Sequence, residues 1–217
     1  NPTADEHELV KPVASNEQGT GTVEANNNLS VREKLDVLYS LLGNKYCTVD
    51  QKSCTTKRQS SHGCDNCNMS DITKAAWFKN IFGEINVDNF PEHDVNSSRR
   101  DYTGQSCFGW GCFAQWYVYA DSANEKIEGK RIATVKFNKT NMEKYVQPGD
   151  VVRVNGHSVL VYSIEDNGIM VLDSNWNSGG QLNCLVQKHL LSYSNENYAG
   201  YTAYINRVEK VIDSENK

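Results

Sequence analysis

The stretch QPGDVVRVNGHSVLVYSIEDNGIMVLDSNW, residues 147–176, decides the fold class. After Pro148-Gly149 the apolar residues recur with a period of two through DVVRVNG, HSVLVYSIED and GIMVLDSNW. That period marks strands, and Asn155-Gly156 and Asp166-Asn167-Gly168 are the turn residues that join three of them as hairpins. Residues 184–189 and 200–208 add further strand.

Upstream the pattern is helical. Ser30 reads as an N-cap, with Glu33 three residues on as in a capping box. Val31, Leu35, Leu38, Leu41 and Leu42 then recur at helical spacing until Gly43. Ser70 is expected to cap a second apolar segment, residues 72–82, closed by Gly83. Residues 84–106 read as irregular, and a helix is predicted from 107. Helices first and an antiparallel sheet after them is the α+β arrangement.

Residues 1–29 are polar, carry no apolar period and cannot bury enough surface to offset the entropy of ordering. They are expected to form a flexible tether, leaving a single domain over 30–217. The chain opens Asn1-Pro2 rather than with Met, so a trimmed terminus is expected, and the sequence itself shows no signal peptide. A net charge of −5 without a basic run argues against a nucleic-acid partner. No stretch reaches the roughly 18 apolar residues of a membrane span.

Five histidines offer a general base, and His157 is best placed. It follows a tight turn and opens an apolar strand, whereas His7 lies in the tether, His62 in the cysteine loop and His93 in irregular sequence. His189 stands beside Leu190 and Leu191. Across the hairpin, His157 falls opposite residues 173–175. Alternation puts Asp173 and Asn175 on one face and Ser174 on the other, so either of the first two can orient the imidazole. A one-residue slip would exchange the faces.

The nucleophile lies in GQSCFGWGCFAQWYVYAD, residues 104–121, which holds two cysteines. Cys107 falls in the first helical turn, where unpaired N–H groups and the positive dipole end favour a thiolate. Cys112 lies about 140° further around the helix, where that help has faded. Its neighbours Phe108, Trp116 and Tyr119 make an apolar setting that raises a thiol pKa. Cys107 shares its stripe with Gly111, Ala114 and Val118. The helix is apolar on nearly all sides, as suits a central helix buried under a sheet. Cys107 is therefore the expected nucleophile and Cys112 the expected core residue.

These residues together resemble the NlpC/P60 and CHAP superfamily of papain-like cysteine hydrolases. Cys107 with Gly109 and Trp110 matches the cysteine-bearing helix start, and Pro148-Gly149-Asp150 the lead-in to the sheet. Gly156-His157 matches the histidine strand, and Asp173, Asn175 and Trp176 its partner. The match covers residues 102–208. Asp173 stands where CHAP enzymes usually carry Glu, and Ser106 where most NlpC/P60 members carry Asp. The resemblance implies a papain-like α+β core and a Cys107–His157–Asp173 or Asn175 triad. It also implies candidate oxyanion or substrate contacts at Gln105, Tyr102 and Trp176, with the backbone N–H of Cys107 as a further oxyanion donor. The usual Gln of the family sits one residue closer to the nucleophile than Gln105 does.

On this reading the protein is a secreted or cell-wall-associated monomer that cleaves amide bonds without cofactor or catalytic metal. The implied substrate is peptidoglycan, cut as an amidase or stem-peptide endopeptidase. A cysteine protease acting on proteins or peptides, and a catalytically silent wall-binding module, are the alternatives. Seven cysteines, four of them within residues 47–67, fit a disulfide-stapled extracellular loop. Cys47, Cys54, Cys64 and Cys67 with His62 are also a conceivable zinc set, but only one C-x2-C spacing is present. Cys112 and Cys184 either pair across the core, if helix and sheet approach closely, or stay buried and inert. Asn28, Asn68, Asn96 and Asn138 open N-x-S/T triplets.

Overall fold

The structure is a computed structural model of the 217-residue chain, and it describes residues 21–53, 67–92, 106–174 and 184–209. Packing begins before the expected boundary at residue 30. Val23 is buried in the core, Glu24–Asn26 forms a 3-10 turn, and Asn26 donates to the Tyr117 hydroxyl at 3.1 Å. Helix α1, Val31–Leu42, starts with the predicted capping box. The Glu33 amide donates to Ser30 Oγ at 3.3 Å, and the Ser30 amide donates back to the Glu33 carboxylate at 2.8 Å. Its face of Leu35, Leu38 and Leu42 is buried, while Val31 and Leu41 pack at the margin.

The apolar segment expected over residues 72–82 is two short helices, α2 (Met69–Ile72) and α3 (Ala76–Phe82). Asn68, not Ser70, is the cap: its Oδ1 accepts from the Ser70 amide at 3.0 Å and from the Ser70 hydroxyl at 2.8 Å. An Asn side chain satisfies the first-turn donors as well as Ser does, so composition alone does not choose between neighbours. Gly83 ends α3 with φ of 80°, a conformation that favours glycine. The Asn of the sequence triplet at Asn138 likewise serves as a cap, for the helix Lys139–Tyr145.

Helix α4, Ser106–Tyr119, is the buried central helix the sequence predicts. Trp110, Phe113, Trp116 and Tyr117 are almost wholly inaccessible. Phe78 and Phe82 of α3 pack edge-on against Phe113 with ring centroids 5.2 Å apart. Gln115, the polar exception, is also buried; its Nε2 donates to the carbonyls of Gly149 at 3.0 Å and Asn206 at 3.2 Å. A buried amide with partners costs little, and here it ties the helix to the sheet beneath it.

That sheet has six antiparallel strands in the order β1-β6-β2-β3-β4-β5. They are β1 (Gly129–Lys136), β2 (Val151–Val154), β3 (His157–Glu165), β4 (Gly168–Ser174), β5 (Val186–Ser192) and β6 (Thr202–Val208). Val154 pairs with His157 across a two-residue turn in which Asn155 has φ of 45° and Gly156 φ of 80°. Two positive φ values are what a type I′ hairpin requires, and Asn-Gly meets them at least strain. One sheet face, with Val151, Leu160 and Leu172, shares the core of α1–α4. The other, with Val152, Val159, Val171 and Ile205, shares a second core with Phe137 and with Met142 of α5 (Lys139–Tyr145). Neither β1 nor α5 is among the elements expected from sequence, while the three strands of residues 147–176 are where they were expected.

Two linkages hold the frame. Buried Asp150 accepts from Arg207 Nε at 2.8 Å and Nη2 at 2.7 Å, and from the Gln147 amide at 2.9 Å. The Asp of the Pro148-Gly149-Asp150 lead-in is thus a strut between the start of β2 and β6. A disulfide joins Cys67 to Cys184. It overturns the Cys112–Cys184 pair considered from sequence, because Cys112 remains a thiol in the core. It also removes Cys67 from any zinc set. Among the described residues, no group of three or more His, Cys, Asp and Glu is arranged to hold a metal, and no helix is long and apolar enough to cross a membrane. Cys54, His62 and Cys64 lie outside the described residues.

Candidate active site

At one end of the sheet the first turn of α4 meets the start of β3 and the end of β4. Cys107 is the second residue of α4 and only half-buried, whereas Cys112, one and a half turns on, is wholly buried. His157 follows directly on the type I′ turn, so the turn fixes where its ring emerges. Its Nε2 lies 2.6 Å from Asp173 Oδ2. The ring also hydrogen-bonds the Cys107 sulfur. With Nε2 committed to Asp173, Nδ1 is the nitrogen left for the thiol.

Asp173 has no accessible surface, and its Oδ1 has no hydrogen-bond partner among the described residues. Oδ2 serves two imidazoles, because His189 Nε2 approaches it at 3.0 Å. The register explains this convergence. Asp173 lies opposite Gln187 on β5, two residues from His189. On the other side the ladder reaches Leu160 opposite Leu172, so its next step sets Asp173 against Val159, two residues from His157. Both histidines are diagonal neighbours of the carboxylate, within reach of long side chains.

Electrostatics follows from this packing. Burial alone would push the Cys107 thiol up. The His157 charge and hydrogen bond, the Ser158 amide and the Arg153 charge outweigh it and bring the thiol to about 7. Burial would lower His157, but the Cys107 thiolate and the Asp173 carboxylate raise it to about 10. Burial would likewise raise Asp173, and donors from His157 and His189 hold it below its ordinary value. Between these limits the stable form is a thiolate beside an imidazolium. Burial raises the Cys47 thiol to about 12 and pushes Cys112 higher still. The two cysteines of residues 104–121 are therefore chemically unlike.

The structure brings together Cys107, His157 and Asp173 of the predicted site residues. Tyr102, Gln105, Asn175 and Trp176 lie outside the described residues. Three neighbours have no assigned role in the sequence reading. Arg153 donates to Ser158 Oγ at 2.8 Å, with its guanidinium 5.7 Å from the Phe108 ring centre. Buried Tyr198 lies within electrostatic reach of Asp173 and Cys107, and with burial they raise its hydroxyl to about 12. His189 is the third. No local motif marks it, and its position depends on the β4–β5 register across a long connection that sequence does not fix.

Comparison with known proteins adds no name to this arrangement: no family model, no curated protein and no solved structure matches the chain.

Proposed function

We propose that this chain is a cysteine hydrolase with a papain-like core, cleaving amide bonds through Cys107, His157 and Asp173. The observation that carries the reading is the hydrogen-bonded series from Cys107 to His157 to Asp173 at the start of a buried helix. Nucleophilic catalysis needs an activated thiolate, an imidazole in reach and a group to orient that imidazole. The Cys107 thiolate attacks the amide carbonyl, and the resulting oxyanion takes a hydrogen bond from the Cys107 backbone N–H in the first turn of α4. The His157 imidazolium protonates the leaving amine as the tetrahedral intermediate collapses to a thioester. His157, now neutral, takes a proton from water, which releases the acid and restores the thiolate. Asp173 holds the ring in place and favours its charged form throughout.

The substrate follows from the resemblance of residues 102–208 to NlpC/P60 and CHAP hydrolases, and is the peptide portion of peptidoglycan. The Cys67–Cys184 disulfide supports an oxidising location, in keeping with a secreted enzyme. The test is digestion of purified cell walls and of casein by the wild type and by Cys107→Ala, with products identified by mass spectrometry. New amine termini from cell walls that vanish in Cys107→Ala are the expected result. Cleavage of casein alone would make it a protein-directed protease. Absence of cleavage in both would leave a silent binding module, and full activity in Cys107→Ala would overturn the nucleophile.

A further inference from the structure

His189 stands outside the hydrolytic mechanism above, yet it makes one of the two hydrogen bonds that the described residues give to the Asp173 carboxylate. We propose that His189 is a positioning residue of this site, donating Nε2–H to Asp173 Oδ2 so that the carboxylate keeps that oxygen turned to His157. The inference rests on the hydrolase reading and deepens it, adding a fourth side chain that touches no reacting atom.

The argument starts from the carboxylate. Asp173 is wholly buried, and its Oδ1 finds no donor among the described residues. Burying a charged carboxylate is costly unless donors satisfy it, and each donor to the ionised form also favours ionisation. Rotation about χ2 could exchange its two oxygens. With His157 as sole donor, the side chain would pivot on one bond. Two donors converging on Oδ2 from opposite strands, at 2.6 and 3.0 Å, define a direction.

His189 is itself well held. It sits on β5 opposite Val171, with its side chain 17% exposed. The titratable and charged groups gathered here are Cys107 from α4, Arg153 from β2, His157 from β3, Asp173 from β4 and His189 from β5. Tyr198 joins them from the segment between β5 and β6. Of these, His157 and His189 are the two that hydrogen-bond Asp173. Without His189 the carboxylate ionises less readily and turns more freely, His157 loses part of the support for its charge, and the Cys107 thiolate is paired less strongly with it.

The experiment reads the Cys107 thiolate directly and needs no substrate. The rate of Cys107 alkylation by iodoacetamide is followed against pH in the wild type, His189→Gln and His189→Phe. Gln keeps a donor near the Nε2 position, and Phe keeps the ring volume without one. His189→Phe is expected to move the inflection up by about one pH unit, about tenfold slower alkylation on the acid side, with His189→Gln close to wild type. In an Asp173→Asn background the same change is expected to have little further effect, since His189 acts through that carboxylate. A His189→Phe profile that superimposes on the wild type, or moves to lower pH, overturns the inference and leaves the nucleophile reading standing. An ordinary thiol profile in the wild type overturns that reading, and this inference with it. Should His189→Phe fail to fold, histidine 15N–1H spectra of the wild type decide. A protonated, hydrogen-bonded Nε2 on His189 near neutral pH is expected, and an unprotonated Nε2 there overturns the proposal.

Discussion

Between the titrations of Cys107, near 7, and His157, near 10, the site holds its single proton on the imidazole. The two values belong to the pair more than to either residue. They set both limbs of a pH profile. Hydrolysis is expected to rise with pH through about 7 as the thiolate forms, and to fall through about 10 as the imidazolium that protonates the leaving amine is lost. A kcat/KM profile from acid to alkaline pH checks this, and a flat acid limb would contradict it. His157→Ala removes the general acid and the counter-ion together, with an expected loss of about 10²–10⁴-fold in rate. Cys112→Ala, in contrast, is expected to retain hydrolysis and to lower stability by about 1 kcal/mol, from a small cavity beside Trp116. Cys107 and His157 were legible in the sequence because each stands next to a local signal, a helix start and an Asn-Gly turn. The choice between Asp173 and Asn175 was not, because alternation puts both on one face and only the register of the hairpin decides which of them stands nearer the ring. The β3–β4 ladder puts Asp173 diagonal to His157, and the bond at 2.6 Å follows.

At the scale of elements, legibility followed the strength of the local pattern. Helix α1 announces itself through a capping box and a leucine stripe. The hairpins of β2–β4 do so through short apolar runs bounded by turn residues, and Asn155 and Gly156 adopt the positive φ values that the first turn requires. Strand β1 and helix α5 carry no such signal. β1 is a half-buried edge strand of mixed polarity, and α5 is seven residues long with Met142 as its one wholly buried side chain. Tertiary contacts form these two more than propensity does. The Ser30 cap gives the first prediction at this scale. Ser30→Ala removes the half of the capping box that Ser30 Oγ accepts, leaving the residue-30 amide to donate to Glu33, and a loss of about 1 kcal/mol is expected in a urea melt. Asp150 gives a sharper one. Arg207→Leu would leave its buried carboxylate with the Gln147 amide as the one donor remaining among the described residues. Breaking a buried pair by removing one partner costs about 3–5 kcal/mol, so this variant is expected to unfold at markedly lower urea than Ser30→Ala.

Across the whole molecule, the helical half and the sheet are held together by the buried face of α4 and, at the sheet edge, by the Cys67–Cys184 disulfide. Cys67 lies just before α2, and Cys184 just before β5, the last strand in the sheet order. The Cys184 carbonyl accepts from the Cys47 amide at 2.9 Å, so the bond fastens a junction that backbone pairing already defines. The two cysteines are 117 residues apart in sequence. Closing so long a loop restricts the unfolded chain strongly, and a stabilisation of about 2–5 kcal/mol follows. The proposed triad sits on the first turn of α4 and on β3 and β4, and its bonds run from Cys107 to His157 to Asp173. Stability and reactivity should therefore separate. Cys67→Ser/Cys184→Ser is expected to lower the urea midpoint by that amount while the pH inflection of Cys107 alkylation stays near 7. If the inflection moved with the midpoint, the disulfide would be holding the triad's geometry as well as the fold. That dependence would reach the site through β5, the strand that carries His189.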